Sequence, residues 1–175
     1  MTERKVFILL EDLFEDLEFW YPHIRMREAG YRVAAVAPRR GTYHGKHGLP
    51  AEADLSAGEV SAGDPHALIV PGGYSPDRMR RHTAMVKLVK EVFELGKPVA
   101  AICHGGWMLA SAGILEGKTA TGFFSIRDDM VNAGARWVDR EVAVDGNLIT
   151  SRNPGDLPAF CRALIAQLEA TAGAQ

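Results

Sequence analysis

Apolar and polar positions follow two rhythms along this chain. Short continuous apolar runs recur: KVFILL at 5–10, YRVAAVAP at 31–38, HALIVPGG at 66–73 and PVAAI at 98–102. Runs of that length without alternation read as strands buried on both faces. Between them the period lengthens. Leu17, Trp20, Tyr21 and Ile24 recur at helical spacing and mark an apolar stripe. Glu15 and Asp16 suit the start of that helix, where acids meet the positive dipole end, and Gly30 suits its stop. Met85, Leu88, Val89, Val92 and Phe93 mark a second helix, closed by Gly96 with Pro98 beyond. GGWMLASAG at 105–113 reads as a third, and a last helix is expected over about 156–170, with ATAGAQ as a frayed tail. Residues 40–63, rich in glycine and polar side chains, are expected to hold a small hairpin or excursion. REVAVDGNLITS carries Asp145-Gly146 between alternating runs, a hairpin signal.

Strand and helix in alternation, with short connections, predict an α/β fold: a mostly parallel sheet with helices on both faces, as one domain over 1–175. In such sheets ligands gather outside the carboxyl ends of the strands. That selects Glu11–Glu18, Pro71–Asp77 and Cys103–Gly106.

Composition narrows the partners. The chain has 175 residues, 47% hydrophobic and 24% charged, with a formal net charge of -2. No basic field points to nucleic acid or an anionic membrane. No apolar run approaches a membrane span, and the N-terminus reads as a first strand rather than a signal peptide. The expected location is cytoplasmic, where the two cysteines, Cys103 and Cys161, stay reduced.

Candidate chemistry centres on Cys103. It ends a strand and precedes a helix, the geometry of a nucleophile elbow, and Gly105 and Gly106 give room for a strained turn. A helix N-terminus there is expected to lower the thiol pKa. His104 is expected to supply at least its backbone N–H, and Gly72 and Gly73 offer further N–H groups for an oxyanion. Cys161, in the apolar pattern of the last helix, is expected to pack. The six histidines form no zinc-like set with the cysteines, so no metal and no cofactor are expected.

AICHGGWMLASAG, VPGGYSPDRMR, FEDLEFWYP, GKHG and the long stretch from SIRDDM to DLPAF together resemble the PfpI family of the Parkinsonism-deglycase superfamily, from about residue 5 to residue 168. The resemblance implies a flavodoxin-like three-layer sandwich and a nucleophilic Cys103. It implies an acid after the first strand, matched to Glu15, whose carboxyl approaches the thiol. It also implies a Cys–His–acid triad completed from a neighbouring subunit, matched here by Asp77 where the family carries glutamate. Phe123 stands where tyrosine is expected. A homodimer or higher homo-oligomer is implied, with Trp20, Tyr21 and His47 as candidate interface residues. The function implied is that of a stress protein acting on reactive carbonyls or their adducts on proteins. The alternatives are an intracellular cysteine peptidase and a non-catalytic sensor oxidised at Cys103.

Overall fold

The apolar runs fold where both of their faces can be covered. In the computed structural model, which describes residues 4–173, the strands are β1 (Lys5–Leu9), β2 (Arg32–Ala37), β3 (Gly41–His44), β4 (Pro50–Ala53), β5 (Leu55–Ser56), β6 (Ala67–Val70), β7 (Val99–Ile102), β8 (Thr119–Ala120), β9 (Arg136–Trp137), β10 (Ala143–Asp145) and β11 (Leu148–Ser151). The helices are α1 (Asp16–Glu28), α2 (Ser75–Met79), α3 (Thr83–Glu94), α4 (Gly106–Ser111), α5 (Arg127–Asn132) and α6 (Leu157–Gly173).

Seven strands form the central sheet in the order β10-β11-β7-β6-β1-β2-β5. All its pairings are parallel except β10 with β11, the expected hairpin. The period of two along β1 sorts its side chains. Phe7 and Leu9 join a core with Leu68, Val70, Val89 and Leu109, under α3 and α4. Val6 and Ile8 join a second core with Ile69, Ile102, Phe19, Met26 and Phe160, under α1 and α6. The result is the expected three-layer α/β sandwich. β3 and β4 pair as the hairpin expected after β2.

The chain runs from β1 outward to β2, then crosses back to add β6 on the other side of β1. The loops leaving β1 and β6 therefore diverge in opposite directions and open a crevice between them.

Two expectations need correction. Leu17, Tyr21 and Ile24 do not face the core; they are 57%, 36% and 59% exposed. Phe19, Pro22 and Met26, on the adjacent face of α1, are buried in their place, together with Glu18. The helical period was right and its phase was not: of that stripe Trp20 packs against the core, and the buried Glu18 shares the inward face. The last helix also continues to Gly173, past the expected tail start, and 174–175 lie outside the described residues. No helix among the described residues is long and apolar enough to cross a membrane.

Ile69 is fully buried in the central strand pairing of β6 with β1 and β7. Ile69→Ala is expected to lower the unfolding free energy by about 2–5 kcal/mol, read from the denaturant midpoint.

Candidate active site

Three loops meet outside the carboxyl ends of β1, β6 and β7, and backbone hydrogen bonds sew them together. Glu15 N–H donates to the Gly72 carbonyl at 3.2 Å and Tyr74 N–H to the Leu13 carbonyl at 2.9 Å. Lys46 N–H donates to the Phe14 carbonyl at 2.8 Å and Leu13 N–H to the His44 carbonyl at 2.8 Å. The loop after β1 is thus pinned between the β3–β4 connection and the turn after β6. Leu13 takes a left-handed backbone to make this path, with φ 65.

Cys103 follows β7 and opens a short 3-10 turn, Cys103–Gly105, that feeds α4. Its φ is 59, a left-handed value that costs a non-glycine residue energy and that the surrounding structure must enforce. Gly105 makes this possible, since a Cβ there would lie 2.7 Å from the Val70 carbonyl oxygen. A Cβ on Gly106 would lie 2.5 Å from the Met130 sulfur. The strained elbow read from the sequence is therefore present. The sulfur is nonetheless largely buried: Cys103 is only 7% exposed and stands in the wall of a cavity of about 470 Å³.

The acid beside the thiol is Glu18, not Glu15. Glu18 is fully buried on the first turns of α1. Its Oε2 accepts the Gly72 N–H at 2.7 Å, and the carboxyl faces the Cys103 thiol, while Oε1 has no hydrogen-bond partner among the described residues. Gly72 is glycine for a reason, since a Cβ would sit 2.5 Å from that carboxylate and 2.8 Å from the Cys103 Cβ. Glu15, three residues earlier, is also buried but points to the cavity mouth, with Oε1 3.8 Å from His47 Nε2. One helical turn separates the two acids, and the N-cap position turns Glu15 outward while Glu18 faces the sheet. The sequence signal for Glu18 was available: it lies between Leu17 and Phe19, on the face that Phe19 and Pro22 bury.

The same geometry revises the oxyanion donors. The Gly72 N–H is occupied by Glu18. The N–H groups of Gly73 and His104 face the Cys103 sulfur. Gly73 can do so because it holds φ 74.

His104 lies alongside. Its Nδ1 is 3.3 Å from the Cys103 sulfur and its Nε2 is 3.3 Å from Ser125 Oγ. Both contacts are satisfied when Nε2–H donates to Ser125 and Nδ1 is left to accept from the thiol. Phe123 stacks on the ring at 4.8 Å and Trp107 meets it edge-on at 5.0 Å. Phe123 thus orients the histidine by contact, and Ser125 brings a hydroxyl to its Nε2. Ser125 and Lys46, both lining the cavity, lie in the quoted stretches SIRDDM and GKHG but received no site role there, because neither stretch shows by itself that it folds beside Cys103. Asp77 stays outside the cavity; it is half exposed on α2 and pairs with Arg81. Cys161 is fully buried in α6, as expected.

Ionisation departs from the expected low thiol pKa. Burial drives the Glu18 carboxyl up from 4.5 to about 8, with the Glu15 charge adding to it and the Gly72 N–H opposing. Burial also pushes the Cys103 thiol up, to about 12, and the Glu18 charge is the second cause. The His104 and Gly73 N–H groups oppose this rise without reversing it. At neutral pH Glu18 is protonated, so that opposing charge is absent and the carboxyl becomes a donor toward the sulfur. Burial lowers the His104 pKa, which keeps the imidazole neutral and able to accept a proton.

A family model described as the DJ-1/PfpI family matches residues 4–167. Deglycase PfpI of Pyrococcus furiosus is 44% identical over 165 residues, covering 94% of this chain and 99% of that protein. General stress protein 18 of Bacillus subtilis is 43% identical over 169 residues, covering 95% and 98%. Among solved structures, a two-domain protein with DJ-1/ThiJ/PfpI-like and ferritin-like domains from Anabaena variabilis superposes with a TM-score of 0.94 at 45% identity. That match spans 95% of this chain and 48% of the other, so this chain corresponds to about half of it.

Because Glu18 has a folded pKa near 8 against 4.5 unfolded, the folded chain keeps a proton that the unfolded chain has lost between those values. Stability then falls as pH rises through that window. Unfolding free energies measured from about pH 4.5 to pH 8 should decline in wild type relative to Glu18→Gln, whose neutral amide cannot ionise. Parallel curves for the two proteins would show that Glu18 does not carry the raised pKa.

Proposed function

The chain belongs to the DJ-1/PfpI family, and from that premise we propose that it is a cysteine-dependent enzyme of the deglycase type, acting on small α-oxoaldehydes and their early adducts on proteins. The observation that carries this reading is the Cys103 sulfur in a cavity wall, between a protonated Glu18 carboxyl and a neutral His104 imidazole. A cavity of about 470 Å³ suits a small carbonyl compound or one modified side chain.

Each step uses a group already in place. His104 Nδ1 takes the thiol proton as Sγ bonds to the aldehyde carbon. The carbonyl electron pair moves to oxygen, which is held by the Gly73 and His104 N–H groups and protonated by Glu18. The product is a thiohemiacetal. The Glu18 carboxylate then removes the proton on that carbon while the His104 imidazolium protonates the neighbouring carbonyl oxygen, giving an enediol. Glu18 delivers its proton to the neighbouring carbon and regains one from the first carbon's hydroxyl. The first carbon ends as a thioester and the second as a secondary alcohol, so oxidation and reduction balance within the substrate. Water, with its proton accepted by His104, cleaves the thioester, and the thiol leaves with a proton. Methylglyoxal gives lactate by this route. In a protein adduct the amine departs with the C–N electron pair and a proton.

Peptide hydrolysis by a triad has a further requirement. The chain's own Asp77 pairs with Arg81 on α2 and is not among the residues lining the cavity, so this reading requires Asp77 of a second copy to release its Arg81 and meet His104. The exposed strip of Leu17, Tyr21 and Ile24 on α1 supports association with such a copy.

Lactate formation from methylglyoxal should be lost in Cys103→Ser and fall by about 10²–10⁴ in kcat in Glu18→Gln and His104→Ala. A Cys103→Ser protein that turns over like wild type would overturn the reading. Size-exclusion chromatography should show wild type as an oligomer and Leu17→Glu/Ile24→Glu as a monomer; an unchanged elution volume would remove α1 from the interface.

A further inference from the structure

We propose that the mouth of the cavity holds a second site, a divalent transition-metal site built from Glu15, Asp16 and His47, with Zn²⁺ as the fitting ion. One ligand atom from each residue lies within 4.8 Å of the others.

Glu15 supplies the observation that asks for a cation. Its side chain is only 6% exposed, and its Oε2 has no hydrogen-bond partner among the described residues. A buried carboxylate oxygen without a donor carries its full desolvation penalty. Its other oxygen, Oε1, lies 3.8 Å from His47 Nε2. A metal ion between the two would satisfy both. The sequence placed Glu15 at the thiol, but Glu18 holds that position, so Glu15 has no other role at the reacting sulfur.

Asp16 and His47 are already fixed relative to one another. The Asp16 carboxylate accepts the backbone N–H groups of His47 and Leu49, each at 2.9 Å. Each of its oxygens keeps a further lone pair for a metal. Gly45 lets the loop press this close, since a Cβ there would collide with the Asp16 carboxylate. The His47 backbone is therefore held beside Asp16, while its side chain, 68% exposed, is free to swing. Zinc bonds of about 2.0–2.2 Å to nitrogen and oxygen need the three atoms closer together than they stand, and rotation of His47 provides the closure. One imidazole with two carboxylates suits zinc better than the all-oxygen shells of calcium or magnesium. Three protein ligands leave a fourth position open, and Glu15 and His47 line the same cavity as Cys103. None of the three residues hydrogen-bonds the sulfur.

The test is calorimetric titration of the metal-free full chain with zinc chloride. Wild type and Cys103→Ser should each bind one zinc per chain. Affinity should fall about tenfold or more in His47→Ala and in Glu15→Gln. Melting temperature should rise with zinc in the first two proteins and stay unchanged in the others. His47→Ala removes an exposed ring, so its metal-free melting should match wild type and separate lost binding from lost folding. Zinc bound equally by wild type and His47→Ala would overturn the proposal. So would loss of zinc in Cys103→Ser, which would make the thiol the ligand, or no zinc binding in wild type. The cysteine chemistry fails or stands separately, since Cys103→Ser removes turnover and retains zinc.

Discussion

The site depends on one buried carboxyl. Glu18 has no exposed surface; its Oε2 accepts a backbone N–H from the turn after β6, and its carboxyl lies against the thiol at the end of β7. One side chain on α1 therefore ties three separate segments at a single point. Burying an ionised carboxylate there would cost several kcal/mol, so the group keeps its proton near neutrality and acts as a donor. That choice propagates outward. A neutral Glu18 spares the sulfur a nearby negative charge, and it spends the Gly72 N–H, leaving the Gly73 and His104 N–H groups to face the sulfur.

The crevice exists because of strand order. β1 pairs with β2 on one side and β6 on the other, so the loops leaving the strand ends part company above the sheet. Hydrogen bonds from Leu13, Glu15, Lys46 and Tyr74 then fix the loops' spacing. The strained φ of Cys103 is tolerated because Gly105 and Gly106 let β6 and α5 approach closely around it. Strain and close packing at one residue are two sides of the same arrangement.

Much of this was legible from residue order. The apolar runs at 5–10, 66–73 and 98–102 became adjacent central strands because runs without polar interruption have nowhere else to go. Cys103 was identifiable because an elbow has a local signature: strand, small residues, helix. Glu18 was missed because two acids three residues apart on one helix look alike in sequence, and only the direction of the sheet tells them apart. The phase of α1 was missed for the same reason. Leu17, Tyr21 and Ile24 form a valid helical stripe, yet Phe19, Pro22 and Met26 meet the core.

The sequence alone determined the alternation of strands and helices and the position of the elbow, because each depends on neighbours within a few residues. The family, too, was readable there. Only the tertiary structure decided which acid meets the sulfur, which amides remain free and how each group ionises. Those outcomes depend on distances between segments far apart in the chain, and on how much water the fold leaves beside each group.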